Sequence, residues 1–139
     1  MLEVKSVNQY YGESHTLWDL DMQIPEGKCT VLMGRNGVGK TTLLQCIMGL
    51  VKVKSGDISL SGESLLKTDA EDRARQGIGY VPQGRQIFPM LTVQENLEVG
   101  LPIRDKGDRK IPEFIFDIFP VLKEMLHRRG GDLSGGQQQ

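Results

Sequence analysis

The chain has 139 residues, a net charge of −1 at pH 7 and an ordinary globular composition apart from its 17 glycines. This length predicts one domain. The near-zero charge argues against nucleic acid as a partner, because there is no overall positive field to attract it. No apolar run is long enough to cross a bilayer, and residues 1–5 lack the apolar core of a signal peptide. A cytosolic protein is therefore expected.

Alternating or continuous apolar residues predict strands, which in chain order cover residues 2–7, 18–24, 29–33, 57–60 and 78–81. The turn signal Ser61-Gly62 follows the fourth of these. The helical period predicts a helix over Lys40–Met48, with Leu43, Leu44 and Ile47 on one face and a stop at Gly49.

Capping boxes predict two further helices. Thr68-x-x-Glu71 opens a short helix that ends before Gly77, and Thr92-x-x-Glu95 opens one that runs through Val99. Residues 83–90 are expected to form a loop, Ile111–Phe119 a helix, and Pro120 the start of another that ends at Gly130-Gly131. The pattern predicts a mixed α/β part over residues 1–87 and a helical part over 88–139.

The cysteines and histidines do not have the spacing of a zinc site. Cys29 and Cys46 are the only cysteines, and both are expected to be buried small side chains in a reducing compartment. His15 and His127 are isolated, so we expect each to be a surface or satisfied polar residue and not a ligand or base.

The strongest chemical signal is the segment from Gly34 to Thr42, which fits Gly-x-x-x-x-Gly-Lys-Ser/Thr between a predicted strand and a predicted helix. Its glycines allow the backbone to curl around a phosphate, and amides at the start of the helix form an anion nest. The Lys40 ammonium is expected to reach the β- and γ-phosphates and the Thr41 hydroxyl to bind Mg²⁺. The segment therefore predicts a nucleoside triphosphate as ligand; a chance glycine turn before a helix is the alternative.

A second signal is Leu133-Ser134-Gly135-Gly136-Gln137. Ser134-x-x-Gln137 has the form of a helix cap with its reciprocal partner, and two glycines leave the backbone amides unobstructed. The segment by itself also fits an ordinary helix start after a glycine loop.

Together these two segments resemble those of the ATP-binding subunits of ABC transporters, a resemblance that covers the whole chain. It implies the α/β P-loop fold of that family, a β-rich N-terminal part, and ATP with Mg²⁺ as cofactors. Tyr11 is similar to the aromatic residue that stacks on adenine, and Gln83 to the glutamine that reaches the metal and the attacking water. The nucleotide-binding residues that the resemblance implies are Tyr11, Gly34, Arg35, Asn36, Gly37, Val38, Gly39, Lys40, Thr41, Thr42, Gln83, Ser134, Gly135, Gly136 and Gln137, with Thr41 and Gln83 also toward the metal.

The family resemblance also implies partners. The Ser134 segment of one subunit covers the γ-phosphate held by a second subunit, in a head-to-tail pair. Residues 83–90, with Arg85 and Phe88 as the expected contacts and Phe114, Phe116 and Phe119 nearby, resemble the region that receives a helix of the membrane subunit. The protein is then expected on the inner face of the plasma membrane, where it powers solute uptake.

The amino-acid sequences of three loops resemble those of one branch of the family. Residues 8–12, 34–39 and 81–89 are similar to those of the second ATPase of bacterial urea uptake transporters. The ATPases for branched-chain amino acids are the near alternative, since no residue of such an ATPase touches the solute.

The family pattern continues beyond Gln139 with a buried strand ending in Asp-Glu and a histidine switch. We therefore expect the C-terminal part of the core, including the general base, to be absent from residues 1–139. Such a chain is expected to be marginally stable, to bind nucleotide weakly and to hydrolyse none.

Other functions remain open at this point. Asp132-Leu133-Ser134-Gly135 fits a GTPase pattern, but a guanine-reading Asn-Lys-x-Asp is absent from the sequence. A small-molecule kinase is a second alternative, but the Ser134 segment would then have no role. A non-transport ABC protein, or a non-catalytic partner that only completes the site of another subunit, are further alternatives.

Overall fold

The computed structural model describes residues 1–103 and 110–138, which divide into two compact units, Met1–Gly79 and Tyr80–Gln139. The expected boundary after residue 87 falls inside the second unit. Each unit is described by itself below.

The first unit is built on an antiparallel sheet of the strands β1 (Leu2–Tyr11), β2 (Ser14–Ile24), β3 (Ser55–Leu60) and β4 (Glu63–Ser64). Their order in the sheet is β2-β1-β3-β4. Ser61 and Gly62 both have positive φ and form the β3–β4 turn, as the sequence predicted. The strands are longer than predicted because the polar residues at their ends still pair in the ladders.

One helix covers this sheet. The helix α1 (Lys40–Met48) ends at Gly49, whose φ of 76° makes it the left-handed cap that was expected. Leu43, Cys46 and Ile47 are its core residues, whereas Leu44, predicted on the same face, is exposed. The residues that pack together between helix and sheet are Leu2, Val4, Val7, Leu17, Leu43, Cys46, Ile47, Ile58 and Leu65.

Two predicted strands are absent. Residues 29–33 and 78–81 have no strand assignment and pair with no strand among the described residues. A strand needs a hydrogen-bonded neighbour, and the four paired strands lie elsewhere. The apolar side chains of these segments are consequently exposed: Val31 to 73%, Met33 to 84% and Val81 to 74%. Cys29 is exposed for the same reason, so the predicted burial is wrong for Cys29 and confirmed for Cys46.

A short helix, α2 (Ala70–Arg75), closes the first unit. Its cap is Asp69, whose carboxylate accepts from the amide of Asp72 at 2.9 Å, and not Thr68 as predicted. The Thr68 hydroxyl is engaged elsewhere, because it donates to the Leu65 carbonyl at 2.8 Å and accepts from Arg73 at 3.2 Å.

The second unit is helical. Its elements are α3 (Val93–Glu98), a 3₁₀ turn at Leu101–Ile103, α4 (Phe114–Ile118), α5 (Pro120–Glu124), a 3₁₀ turn at Gly130–Asp132, and α6 (Gly135–Gln138). The capping box of Thr92 and Glu95 is confirmed, with both of its hydrogen bonds present. The helix predicted over Ile111–Phe119 is reduced to α4, and its Phe114 and Phe119 are exposed, so these two rings are not core. Residues 104–109, in the predicted charged connection, lie outside the described residues.

None of the helices within residues 1–103 and 110–138 has the length and apolar character needed to cross a membrane.

Candidate nucleotide-binding site

The phosphate loop connects the exposed segment at 29–33 to α1. Gly37 has a φ of 81° and Gly39 a φ of 97°, both in the left-handed region that side chains rarely adopt. A Cβ on Gly39 would also stand 2.9 Å from Leu17 Cδ2 and 3.3 Å from the Thr16 carbonyl. Glycine is therefore required at 39 both for the turn and for the close approach of β2.

The start of α1 is free to receive an anion. Its cap, Gly39, has no side chain, and the helix shows no side-chain cap hydrogen bond. The first amides of a helix have no intrahelical partner, so those of Lys40, Thr41 and Thr42 remain available. No acidic residue stands in the first turn, which leaves the positive end of the helix dipole uncompensated. This geometry fits a phosphate group.

The Lys40 side chain folds back over the loop. Its ammonium donates to the carbonyls of Gly34 at 2.7 Å and Arg35 at 2.6 Å. A lysine so placed lies across the concave side of the loop, where phosphate oxygens can replace the two carbonyls as acceptors. Thr41 is exposed and Thr42 is buried beneath the loop.

Tyr11 belongs to the same unit as the phosphate loop. It ends β1 just before Gly12, and its ring is 50% exposed. Its hydroxyl donates to Gln45 Oε1 of α1 at 3.4 Å, so the candidate adenine-stacking ring is tied to the helix that carries Lys40. No local pattern marks Gln45 as a partner of Tyr11, because it lies 34 positions away along the chain.

The other predicted site residues belong to the second unit. Gln83 is exposed in the loop at 83–90. Ser134 precedes α6, and its amide donates to Gln137 Oε1 at 2.9 Å, so the reciprocal half of the predicted cap is formed. Gln138, which the motif does not include, donates from its amide group to the carbonyls of Gly130 and Leu133, both at 3.1 Å.

Metal ligands are not preassembled in the part of the chain that the structure describes, where no group of three His, Cys, Asp or Glu side chains could hold an ion. Thr41 has the hydroxyl chemistry that Mg²⁺ accepts, and the nucleotide phosphates supply the remaining charge in sites of this kind. The residues present therefore fit Mg²⁺ that arrives with the nucleotide.

Two buried side chains at the C-terminal end of α1, Cys46 and Arg73, have a structural role. Burial raises the pKa of the Cys46 thiol to about 11, against the smaller opposing effect of the Arg73 charge. Arg73 is itself buried, and burial lowers its pKa. Its guanidinium donates to the carbonyls of Cys46 and Ile47 at 2.7 and 2.9 Å, which completes the C-terminal turn of α1. The sequence reasoning missed Arg73, since nothing local marks a helix arginine as buried.

Comparison with known proteins settles the family. The sequence model described as "ABC transporter" matches residues 17–139. The chain belongs to the ABC transporter family.

Among curated ABC proteins, the chain is 39% identical over 140 residues to the high-affinity branched-chain amino acid transport ATP-binding protein BraG of Pseudomonas aeruginosa. It is also 39% identical over 140 residues to the probable branched-chain amino acid transport ATP-binding protein LivF of Archaeoglobus fulgidus. These alignments cover 100% of this chain and 60% and 59% of the two relatives. The chain thus spans about 60% of the length of these relatives.

Solved ABC cassettes share the fold. The post-hydrolysis dimer of MJ0796 bound to ADP and Pi gives a TM-score of 0.80 at 28% identity, covering 99% of this chain and 65% of that one. An ATP binding subunit of an ABC transporter gives a TM-score of 0.83 at 27% identity, covering 99% and 57%. The predicted fold class is confirmed.

Proposed function

We propose that the protein is the ATP-binding subunit of an ABC importer, which binds ATP with Mg²⁺ at residues 34–42 and uses it to drive solute uptake. The observation that carries this proposal is the uncapped start of α1 beneath the Lys40 ammonium. The backbone donors of α1 and the Lys40 ammonium converge there, and the first turn of α1 carries no acidic residue to neutralise them. This is the arrangement that a triphosphate needs.

Within this proposal each residue has a separate task. The loop amides bind the phosphates, Lys40 contacts the β- and γ-phosphates, and Thr41 contacts the metal. Tyr11 stacks on the base, an assignment supported by its exposed ring and its bond to Gln45 of α1. Gln83 contributes to the metal and the attacking water, by resemblance to the family.

Nucleotide binding is tested by titrating the protein with a fluorescent ATP analogue and Mg²⁺. Lys40→Ala should weaken binding at least about tenfold, since a charge-assisted hydrogen bond to phosphate is lost. Lys28→Ala, which removes an exposed lysine outside the loop, should leave binding unchanged. Stronger displacement of the analogue by GTP than by ATP would favour the GTPase alternative.

The solute is a finer proposal. We propose urea, because the sequences of residues 8–12, 34–39 and 81–89 resemble those of urea transporter ATPases. The similarity to BraG and LivF, which are named for branched-chain amino acid transport, makes a branched-chain amino acid the second candidate. Uptake of labelled urea and labelled leucine by cells that express the protein, compared with cells carrying Lys40→Ala, separates them. The true solute is the one whose uptake the substitution abolishes.

The partners are also proposals. We propose that two such subunits clamp ATP head to tail, with Ser134–Gln137 of one over the γ-phosphate held by the other. A dimeric structure of MJ0796, matched at a TM-score of 0.79, supports pairing of this kind of cassette. An inner-face location follows from the proposed permease partner.

The permease contact is proposed at residues 83–90. Phe88 is exposed there and lines a cleft of about 320 Å³ with Leu97, Leu122 and Leu133, which suits an apolar helix side chain. Phe88→Asp should reduce co-purification with the membrane subunits, whereas Leu50→Asp, at an exposed apolar residue of the first unit, should not.

A further inference from the structure

The turn that follows Gln83 is strained. Gly84, Arg85 and Gln86 have φ values of 85°, 69° and 50°, and the Gln86 amide donates to the Gly84 carbonyl at 2.7 Å. Two consecutive non-glycine residues in the left-handed region are unfavourable and persist only when surrounding contacts hold them. The contacts that hold residues 84–86 in this conformation therefore indicate the role of the turn.

One side of the turn is fixed by backbone contacts. The Phe88 amide donates to Asn96 Oδ1 at 2.9 Å, and Asn96 Nδ2 donates back to the Phe88 carbonyl at 3.0 Å. The Gly131 amide donates to the Pro89 carbonyl at 2.9 Å. Residues 88 and 89 are thereby anchored to α3 and to the 3₁₀ turn at 130–132, so the strain is confined to residues 84–86.

The other contact of the turn is the Arg85 side chain. Arg85 Nη1 donates to Gln138 Oε1 at 3.1 Å. The other end of the same Gln138 amide holds the carbonyls of Gly130 and Leu133. Gln138 therefore joins three elements: the strained turn, the 3₁₀ turn and α6.

Gly135 leaves room for this contact. A Cβ at 135 would stand 3.0 Å from Arg85 Nη1 and 3.4 Å from Arg85 Cζ, whereas a Cβ at Gly136 would meet nothing within 4 Å. The two neighbouring glycines are thus inequivalent, and only the first faces the guanidinium.

We propose that Arg85 and Gln138 form a positioning pair that links the turn after Gln83 to the segment Ser134–Gln137, with Gly135 as the residue that admits the guanidinium. Neither side chain touches nucleotide in this assignment. The pair sets the orientation of the Ser134 segment. Its functional consequence rests on the proposed function: a subunit in which the pair is broken closes poorly over the nucleotide bound to its partner.

The contact between Arg85 and Gln138 is tested without nucleotide, by hydrogen exchange of the main-chain N–H of Gln138. This N–H donates to the Ser134 carbonyl at 3.0 Å. Arg85→Ala should accelerate this exchange about tenfold, the factor expected when a charge-assisted hydrogen bond is lost. Arg129→Ala, which removes another exposed arginine of the same unit, is the matched control and should have no effect.

The glycines supply a sharper comparison. Alanine favours a helix over glycine, so Gly136→Ala should slow exchange at Gln138, while Gly135→Ala should not, because its Cβ displaces Arg85. In an Arg85→Ala background both substitutions should slow exchange alike. Identical behaviour of the two glycines with Arg85 present, or no effect of Arg85→Ala, overturns the proposal.

The functional arm measures two quantities in the same variants. Arg85→Ala should leave binding of the fluorescent ATP analogue unchanged and weaken ATP-dependent self-association at least about tenfold, which a general loss of folding would not do. Unchanged self-association in Arg85→Ala contradicts the positioning role. If the unsubstituted protein fails to self-associate with ATP, the proposed subunit pairing fails, and the exchange measurements still decide the Arg85–Gln138 pair.

Discussion

Arg73 Nη1 donates to the main-chain carbonyl of Cys46 at 2.7 Å, joining α2 to the last turn of α1 across 27 positions of sequence. The same guanidinium bonds the carbonyls of Ile47, Leu65 and Thr68. One buried side chain thus supplies the Ile47 carbonyl with a donor and adds a second donor to the Cys46 carbonyl, which also accepts from the Gly49 amide. The helix that carries the phosphate loop is held at its far end by this arginine.

We therefore expect Arg73→Met to lower the free energy of unfolding by about 2 kcal/mol, because it removes the donor to the Ile47 and Thr68 carbonyls and one of the donors to the Cys46 and Leu65 carbonyls. Urea unfolding followed by circular dichroism measures the change. Arg75→Met is the control: Arg75 is exposed and, among the described residues, pairs with the exposed Glu71 and Asp72, so the expected loss is below about 0.5 kcal/mol. Equal losses in the two variants would contradict the structural role of Arg73.

Gly56 lies where β1 bulges toward β3, between the pairs Lys5–Asp57 and Asn8–Ser55. Its φ is 93°, and a Cβ there would stand 2.4 Å from the Ser6 carbonyl oxygen. Backbone cannot move aside as a side-chain tip can, so Gly56→Ala should destabilise the protein by about 2 kcal/mol or more.

Gly62→Ala separates the clash from the backbone cost. Gly62 has a φ of 89° but open space around its Cα, so only the left-handed penalty of about 1 kcal/mol applies. A melting temperature lowered equally by both substitutions would show that contact with Ser6 is unimportant.

The capping box of α3 gives a pH-dependent prediction. The Thr92 hydroxyl accepts from the Glu95 amide at 3.2 Å, and the Glu95 carboxylate accepts from the Thr92 amide at 2.8 Å. Thr92→Ala should cost about 1 kcal/mol of stability near neutral pH. Thr30→Ala, at an exposed threonine outside any element, serves as the control.

The hydrogen bonds from Thr92 lower the pKa of Glu95. A carboxyl whose pKa is lower in the folded state stabilises the protein above its unfolded pKa and ceases to do so as pH falls through the folded value. The difference between Thr92→Ala and the parent protein should therefore shrink below about pH 4. A difference that is constant from pH 7 to pH 3 would exclude a contribution of the Thr92 hydroxyl to the lowered pKa of Glu95, since the main-chain bond from Thr92 is kept in Thr92→Ala.

The two cysteines should differ in reactivity. Cys29 is exposed, whereas Cys46 is buried with its pKa raised to about 11. At pH 8 only about one Cys46 thiol in a thousand is ionised, and the thiolate is the reactive form. One equivalent of a thiol reagent should react quickly with the folded protein, at Cys29, and the second only on unfolding.

Cys46 also adds a stability change at high pH. A thiol whose pKa is raised on folding stabilises the protein fully below the unfolded pKa, near 9, and loses that contribution as pH rises toward 11. Cys46→Ala should remove this part of the alkaline decline, whereas Cys29→Ala should leave it unchanged.

Local chemistry determined what the sequence predicted well. The turn at Ser61-Gly62, the stop at Gly49 and the box at Thr92 and Glu95 depend on residues within four positions of one another, so their patterns are visible in the chain itself. The prediction of Thr68 as the cap was wrong, because a hydroxyl that can cap a helix can equally bond elsewhere. The Thr68 hydroxyl donates to the Leu65 carbonyl, and Asp69 caps α2 instead.

The sequence by itself predicted the proposed ligand class, because the loop at 34–42 needs only its own glycines, its lysine and the helix after it to present donors to phosphate. Only the tertiary structure decided which side chains support it. The bonds of Arg73 to α1, of Tyr11 to Gln45 and of Arg85 to Gln138 join residues 27, 34 and 53 positions apart. The strands at 29–33 and 78–81 are the converse case: their apolar composition favours strands, but a strand forms only beside a partner to share its hydrogen bonds.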